Sequence, residues 1–386
     1  MRKLALLLGS LVVVASASAK EVVPAPVVVE EAPVQIVEKE VIVYRDKEEG
    51  FRPNGYVDLQ YRWYGDTEGQ NGNLVKDKYN KKGKLVSGNG KWNKENNYSR
   101  LQLQGKINMT EVQSLEYRVR TYDDLDKEDD RNTKSGTQTR LRYFYNHGNL
   151  GDSKVNFTSR LHYANNGHDD DSQELEYQAR FNFAEYMFNN DFVKTTDFTV
   201  APKYAYSWGT GNSSDYDNQI GADLYTFHEL PWGLSAEFNV YATQHFYGQD
   251  QYFDGLDKKE DKNFTVDVEA YLYHTLPLYE NGKLSVTFNN EGGYDAYNWS
   301  QEKKFGTAHK DGKYKKGYKG DGVGTEDSKY SVYLLSTIGV NYQATPNVTL
   351  YAAAGAEYRN WAKEAENSAS NWRWQPTAWA GFKTTF

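Results

Sequence analysis

Basic residues recur at every second position in several short segments of the sequence. Arg118 and Arg120 flank Val119. Arg140 and Arg142 have the same spacing. Because successive side chains of a β-strand point to opposite faces, this spacing places both cations of a pair on one face. Guanidinium groups on a shared face attract anions and keep that face hydrated. The spacing therefore predicts strands with one charged face and one apolar face.

Motifs for catalysis or for metal binding are missing from the sequence. The chain has no cysteine, which removes disulfides, thiolate chemistry and cysteine-ligated metal centres. Its seven histidines show no H-x-x-x-H or HEXXH spacing, and no G-x-S-x-G, P-loop or dinucleotide fingerprint occurs. A net charge of -8 gives no basic stripe for a phosphate backbone. The sequence thus predicts no enzyme, no cofactor, no metal site and no nucleic-acid partner.

The aromatic content contrasts with the mean hydropathy. The chain contains 32 Tyr, 17 Phe and 9 Trp, yet its mean hydropathy is -0.83. After the first twenty positions no run approaches the roughly 20 apolar residues that a membrane-spanning helix needs. A transmembrane barrel needs only alternate apolar residues, so one face can be apolar while the average stays polar. The combination favours a barrel.

Fourteen segments show the alternation of a strand with one apolar face. They are Asn54 to Tyr64, Tyr98 to Asn108, Gln113 to Asp123, Thr137 to Asn146, Lys154 to Ala164, Glu174 to Ala184, Phe198 to Trp208, Asp217 to Phe227, Leu234 to Phe246, Asn263 to His274, Lys283 to Tyr297, Lys329 to Gln343, Asn347 to Asn360 and Trp372 to Phe386. The breaks between them alternate between short and long, and an even strand number is expected of a bacterial barrel.

The predicted fold is therefore all-β: a transmembrane antiparallel up-and-down β-barrel of about 14 strands, with short periplasmic turns and long extracellular loops. Leu276 to Gly282 is predicted as a short turn, and Tyr247 to Lys262 as a long loop. Aromatic residues at strand ends suit the girdles at the membrane surfaces. These residues are Trp63, Tyr64, Trp208, Trp232, Tyr279, Trp299 and Trp361.

The N-terminal residues carry an export signal. Arg2 and Lys3 precede an apolar run, and Ala17 and Ala19 have the spacing of a cleavage site before Lys20. An N-terminal membrane anchor is the weaker alternative, because the apolar run is too short to cross a bilayer. The predicted division is a signal peptide at 1–19, a Pro/Val/Glu-rich periplasmic segment at 20–53 and an outer-membrane β-barrel at 54–386. Within the second part, a short helix or a trimer-forming stalk at 34–46 is an alternative.

Charged residues of the strands are assigned to the barrel interior by the same alternation, if the apolar residues face lipid. In the first seven strands the interior set is mostly basic: Arg62, Arg100, Lys106, Arg118, Arg120, Arg140, Arg142, Arg160, Arg180 and Lys203, against Asp58, Glu116, Glu174 and Glu176. In the last seven it is mostly acidic: Asp223, Glu237, Asp267, Glu269, Glu291, Asp295 and Glu357, against Arg359, Arg373 and Lys383. Two opposed half-walls of this kind predict a transverse electric field across a pore. The alternative is that these charges pair across neighbouring strands and only solvate the interior.

The last predicted strand has aromatic residues on its apolar face. These are Trp372, Trp374, Phe382 and Phe386. A C-terminal aromatic alternation ending in Phe resembles the signal that the outer-membrane insertion machinery recognises. The alternative, a final strand of a soluble sandwich, is disfavoured by the export signal and by the thirteen similar strands before it.

Several long segments resemble the fusobacterial major outer-membrane porin family, the FomA-like porins. They are RPNGYVDLQYRWYG from Arg52, RLRYFYNHGNLGDSKVNFTSR from Arg140, EGGYDAYN from Glu291, LYAAAGAEYRN from Leu350 and RWQPTAWAGFKTTF from Arg373. The resemblance implies an outer-membrane porin that forms a water-filled channel for passive diffusion of small hydrophilic solutes and ions. It further implies a homotrimer. The alternation of short and long loops predicts both termini on the periplasmic side, and outer-membrane lipid and lipopolysaccharide are the predicted surroundings of the barrel.

Two other functions stay open at the level of sequence. Surface loops of the family are implicated in adhesion, so a surface adhesin or structural barrel whose loops bind other cells is the main alternative. The cationic stretch KDGKYKKGYKGDG from Lys310 is its candidate segment. An outer-membrane enzyme is the other rival, and His162 and His245 are the interior histidines that it could recruit.

Overall fold

Fourteen strands form where apolar and polar residues alternate, which confirms the predicted number. They are β1 (Asn54–Tyr64), β2 (Tyr98–Asn108), β3 (Gln113–Asp124), β4 (Gly136–Asn149), β5 (Asn156–Asn166), β6 (Gln173–Asn182), β7 (Lys194–Trp208), β8 (Tyr216–Glu229), β9 (Leu234–Phe253), β10 (Lys258–Asn281), β11 (Leu284–Ser300), β12 (Val332–Thr345), β13 (Val348–Asn360) and β14 (Trp372–Thr385). The unlabelled pair Lys78–Tyr79 and Leu85–Ser87 forms a separate small sheet, and Ser328–Lys329 extends the barrel sheet beside β11.

The computed structural model describes residues 50–68, 78–79, 85–87, 97–125, 135–167, 172–209, 215–253, 258–302, 328–329, 332–360 and 372–386. The predicted signal peptide and nearly all of the predicted periplasmic segment lie outside these residues. So do most of the long connections, including the stretch from Lys310. Among the described residues, no helix is long and apolar enough to cross a membrane.

The sheet closes on itself. Each strand pairs antiparallel with the next along the chain, and β14 pairs with β1 from Tyr56 opposite Thr385 to Tyr64 opposite Thr377. At the end of this seam, Gly55 and Phe386 exchange two backbone hydrogen bonds of 3.0 and 3.1 Å. Closure leaves no strand of the barrel with an unpaired edge. The prediction of an all-β, up-and-down barrel is confirmed.

The outer face of the barrel is apolar. Large apolar side chains remain exposed along the strands, for example Ile220 at 57 %, Leu272 at 51 % and Ile338 at 53 %. Water contact with apolar surface is unfavourable by about 25 cal/mol per Å². The face therefore requires an apolar surrounding, which the acyl chains of a bilayer supply. The fold is that of a transmembrane β-barrel.

The turn between β10 and β11 is shorter than predicted. Leu276 to Gly282 was expected to form this turn, but β10 continues to Asn281. The ladder accommodates Pro277 by a register shift between Pro277 and Tyr279, since a bulge tolerates a residue without an N–H group. Gly282 then turns the chain with a φ of 54°, a conformation that favours glycine.

The connection between β9 and β10 is also shorter than predicted. Tyr247 to Lys262 was expected to be a loop, yet the two strands stay paired as far as Phe253 opposite Lys258. The pairing shifts its register between Phe246 and Gln251 and then resumes through polar residues, because the ladder does not depend on apolar side chains. β7 likewise begins at Lys194, before the predicted start at Phe198.

Candidate functional site

The barrel interior contains a cavity of about 630 Å³ between unlike walls. Its charged lining residues are Arg62, Arg100, Arg118, Arg120, Glu237, Glu291, Glu357 and Arg359, and its tyrosines are Tyr64, Tyr98, Tyr271, Tyr273 and Tyr333. The strands β2 and β9 are seven strands apart in a ring of fourteen, so they face each other across the bore. We name Arg62, Arg100, Arg118 and Arg120 the arginine wall, and Glu237, Glu291 and Glu357 the carboxylate wall.

The arginine wall is held by uncharged partners. Arg62 donates to Thr377 Oγ1 at 2.9 Å. Its guanidinium lies 4.5 Å from the ring centre of Tyr64 and 4.6 Å from that of Trp379. Tyr64, predicted for the girdle, thus belongs to the interior face. Hydroxyl and ring contacts orient a guanidinium without cancelling its charge.

Two further arginines of the wall follow the same rule. Arg100 donates to Gln60 Oε1 at 3.0 Å, and Arg120 donates to Gln102 Oε1 at 2.6 Å. Gln102 of β2 lies directly opposite Arg120, and Gln60 of β1 is the diagonal neighbour of Arg100. An amide oxygen carries no net charge, so the wall remains cationic.

The cationic surface continues onto β4. Arg118 lies opposite Arg140 in the register, and Arg142 lies opposite Glu116. Among the described residues, Arg118, Arg140 and Arg142 form no ion pair closer than 4.0 Å. Glu116 approaches Lys106 instead, at 3.8 Å. Like charges in close proximity raise the positive potential of this part of the interior.

Tyrosine hydroxyls hold the carboxylates on the opposite side. Tyr273 donates to Glu237 Oε2 at 2.9 Å, and Tyr333 donates to Glu291 Oε1. Tyr241 donates to Glu269 Oε2 at 2.9 Å. A neutral hydroxyl donor fixes a carboxylate and leaves its negative charge in place.

The third residue of the carboxylate wall differs. Glu357 forms an ion pair with Arg359 on the same strand, so its charge is balanced locally. The negative potential of this wall therefore comes mainly from Glu237 and Glu291. The tyrosines were missed as site residues, although their position on the charged face of alternating strands was a usable signal.

A different arrangement occupies the wall from β5 to β8. We name Arg160, Glu176, Gln178, Lys203 and Asp223 the packed cluster. Arg160 contacts Glu176 at 2.6 Å, and Lys203 contacts Asp223 at 2.8 Å. Gln178, which is fully buried, donates to Asp223 Oδ2 at 2.6 Å and lies opposite Arg160 in the register. The charges of this cluster are compensated within the protein.

The packed cluster departs from the predicted division of the interior into a basic half and an acidic half. The sequence predicts Asp223 on the acidic side and Lys203 on the basic side, but the adjacent strands β7 and β8 bring the two into contact. Arg180 joins the cluster by donating to Gln178 Oε1 at 2.9 Å, and its guanidinium lies 4.4 Å from the ring centre of Tyr225. In this region the charges pair across strands, as in the alternative interpretation.

Other predicted residues belong to the strands β10, β11 and β14 and to the residue that follows β14. Asp267 of β10 lies opposite Tyr241 of β9. Asp295 falls on β11, with its side chain outside the described part. On β14, Phe382 is opposite both Leu59 and Leu350, and Trp374 contacts Tyr358 with ring centres 4.7 Å apart. Trp372, whose side chain is also outside the described part, begins this strand, and Phe386 follows it with 51 % of its surface exposed.

One interior histidine lies in an acid–base array. His245 Nδ1 is 2.7 Å from Asp217 Oδ2, and His245 Nε2 is 3.0 Å from Thr265 Oγ1. This order of groups occurs in hydrolases, but acyl transfer also needs N–H donors free to bind an oxyanion. The backbone of these three strands is paired in the ladder. The array links β8, β9 and β10.

In the described part of the chain, no group of three or more acidic or histidine residues could hold a metal ion.

Comparison with known proteins finds solved structures that match at low sequence identity and low TM-score. No family model and no curated protein matches the sequence. A bacterial polysaccharide outer membrane secretin is 12% identical over 86% of this chain and 97% of its own, with a TM-score of 0.36. The outer membrane channel DcaP of Acinetobacter baumannii is 10% identical over 87% and 96%, with a TM-score of 0.34. An anion-selective porin from Comamonas acidovorans is 10% identical over 87% and 99%, with a TM-score of 0.33. Functional conclusions rest on the residues of this chain.

Proposed function

We propose that the protein is an outer-membrane porin, a water-filled channel for the passive diffusion of small hydrophilic solutes and ions. The observation that carries the proposal is a closed fourteen-strand barrel with an apolar exterior and a charged interior cavity. Side chains fill barrels of about eight strands, and about sixteen leave an aqueous channel. Fourteen strands leave room for a narrower pore.

The uncompensated arginines support a hydrated interior. Burying a charge without a partner costs several kcal/mol per ion even after relaxation. Arg118 and Arg140 have no carboxylate partner among the described residues, so water must solvate them. A dry interior would require ion pairs throughout, as in the packed cluster. Water along the arginine wall provides the medium for ions and polar solutes.

The opposed walls favour solutes that respond to a transverse field. Arginines of β1 to β3 face Glu237 and Glu291 across the same cavity. A polar solute can align its dipole with this field, whereas a lipophilic solute must displace ordered water without compensation. The proposed channel therefore discriminates in favour of hydrophilic molecules.

The proposed location and partners are those of an outer-membrane barrel. The shorter connections face the periplasm, the longer ones face outward, and both ends of the barrel chain lie on the periplasmic side. Outer-membrane lipid and lipopolysaccharide contact the exterior, and the aromatic face of β14 is the segment for the insertion machinery. A homotrimer is the proposed assembly. Membership of the fusobacterial FomA-like family remains a prediction, as does adhesion through the loops.

Conductance measurement tests the channel. Protein comprising residues 20–386, refolded in detergent and inserted into planar bilayers, should give ohmic single-channel currents in KCl. Folding is checked independently by circular dichroism and by altered gel mobility of the unheated barrel. A correctly folded and inserted barrel that carries no current would contradict the proposal. Deletion of residues 310–322 tests the adhesin alternative separately. If these residues mediate adhesion, the deletion variant should lose cell binding and keep its conductance.

A further inference from the structure

We propose that the cavity selects zwitterionic short peptides over peptides that carry a single charge. The inference rests on the proposed channel function and names the solute class of that channel. It follows from the presence of free cationic and anionic groups on facing walls of one cavity of about 630 Å³. A peptide with free termini carries one carboxylate and one ammonium group, so it can satisfy both walls together.

The arginine wall provides the site for the peptide carboxylate. A guanidinium group binds a carboxylate through two parallel hydrogen bonds, which gives both strength and orientation. Arg118 forms no hydrogen bond or ion pair with another described residue, so all its donors are available to a solute. Arg120 uses its Nε atom for Gln102 and keeps its terminal nitrogens.

The carboxylate wall provides the site for the peptide ammonium. Glu291 accepts from Tyr333 through Oε1, and its Oε2 has no partner within the described residues. Glu237 accepts from Tyr273 and from Asn239, and each carboxylate oxygen can accept a second bond. Both glutamates are held by neutral donors, so an ammonium group meets a full negative charge on each.

Opposed walls disfavour solutes with only one charge. An anion gains at the arginine wall and is repelled by Glu237 and Glu291, and a cation experiences the reverse. A single amino acid carries its two charged groups on the same carbon and reaches only one wall. An extended peptide of about two to four residues separates its ends by roughly 7 to 14 Å. The selected class is therefore short peptides with both termini free.

Four triglycine derivatives of nearly equal size test the inference. They are free triglycine, the anionic N-acetyl-triglycine, the cationic triglycine amide and the neutral N-acetyl-triglycine amide. Each is added to single channels in a planar bilayer, and the duration of current blockade is measured. Free triglycine should dwell longer than both singly charged derivatives and about tenfold longer than the neutral derivative, which corresponds to about 1.4 kcal/mol. Equal dwell times for the free and neutral peptides would overturn the inference.

Wall variants assign the effect to the two walls. Arg118→Gln with Arg120→Gln should shift the preference toward triglycine amide. Glu237→Gln with Glu291→Gln should shift it toward N-acetyl-triglycine. The control Lys194→Gln removes a cation that pairs with Glu229 outside the cavity, and free triglycine should keep the longest dwell time in this variant. An unchanged order in both double variants would refute the assignment to these walls.

The two proposals fail in different ways. If the folded barrel conducts no ions, the channel function itself is wrong. If KCl conductance is ohmic and the four peptides are not distinguished, the channel function stands and the selection of zwitterions is wrong.

Discussion

The packed cluster and the arginine wall both contain arginines. The charges are paired within the protein in the packed cluster, whereas the arginine wall remains cationic. In the packed cluster, Arg160 is 4 % exposed and contacts a carboxylate. On the arginine wall, Arg118 lies in an open cavity and its cross-strand neighbours are Gln104 and Arg140. The comparison shows that the neighbour chosen by the strand register decides whether an interior cation contributes to stability or is available to solutes.

The difference has a physical origin in desolvation. A buried ion pair is stable only if both charges and their hydrogen bonds are matched, and removing one partner leaves a buried charge. A hydrated cation has no such dependence, because water solvates it. Stability should therefore be sensitive to changes in the packed cluster, and selectivity should be sensitive to changes in the arginine wall.

The largest expected effect comes from breaking the packed cluster. Glu176→Gln leaves Arg160 buried without a counter-charge, since the two groups are 2.6 Å apart. We expect the free energy of unfolding to fall by about 3 to 5 kcal/mol. Urea unfolding of the refolded barrel in lipid vesicles, followed by tryptophan fluorescence, measures this change.

An exposed ion pair provides the matched control for this variant. Glu229 contacts Lys194 at 3.0 Å with 53 and 56 % of their side chains exposed. Glu229→Gln should cost less than about 1 kcal/mol. If Glu176→Gln cost no more than this control, the packed cluster would not differ from a solvated pair.

An intermediate effect is expected from neutralising the cationic surface. Replacing Arg118, Arg120, Arg140 and Arg142 by Gln removes charges that have no carboxylate partner among the described residues. We expect the anion-to-cation permeability ratio to fall about fivefold, equivalent to roughly 1 kcal/mol of Coulomb interaction in water. Reversal potentials in a KCl gradient measure the ratio.

The same variant should leave stability intact, because it relieves like-charge repulsion and breaks no ion pair. Lys194→Gln serves as the control cation outside the cavity and should not move the reversal potential. An unchanged permeability ratio in the fourfold variant would show that these arginines do not govern permeation.

The smallest expected effect comes from salt. The Debye length falls from about 10 Å at 0.1 M to about 3 Å at 1 M ionic strength. Hydrated charges of the arginine wall should be screened at high salt. The anion-to-cation permeability ratio of the wild-type channel should then approach the ratio of the ion mobilities in KCl solution. The stability loss of Glu176→Gln should change much less, since buried pairs are screened weakly. Equal salt dependence of the two quantities would remove the distinction between the regions.

Much of the fold was predictable because alternation is a strong local signal. The bounds of β1 and β2 agree with the sequence pattern, since both strands have a clear apolar face and clear turn residues. The extension of β9 to Phe253 was not predictable, because polar residues pair in a ladder that has no hydrophobic signal. Pro277 was misleading for a related reason: a bulge accommodates it within β10.

The sequence predicted which residue types line the interior, but not which of them contact each other. Alternation assigned Arg118 and Glu237 to the same interior. The contact of Lys203 with Asp223 depends on the register between β7 and β8, which the sequence does not specify. The tyrosine donors, such as Tyr273, required knowledge of which carboxylates lie within reach of a hydroxyl.

The seam between β1 and β14 has a kinetic consequence. Arg62 and Thr377, which are hydrogen-bonded across it, are 315 positions apart in the chain. Contacts between residues so distant in sequence form late and slowly. Until these contacts form, β1 and β14 each have an edge with unpaired backbone N–H and C=O groups. Such an edge can pair with another chain and start aggregation. We therefore expect the unfolded chain to need a chaperone that binds it in the aqueous compartment until β1 pairs with β14.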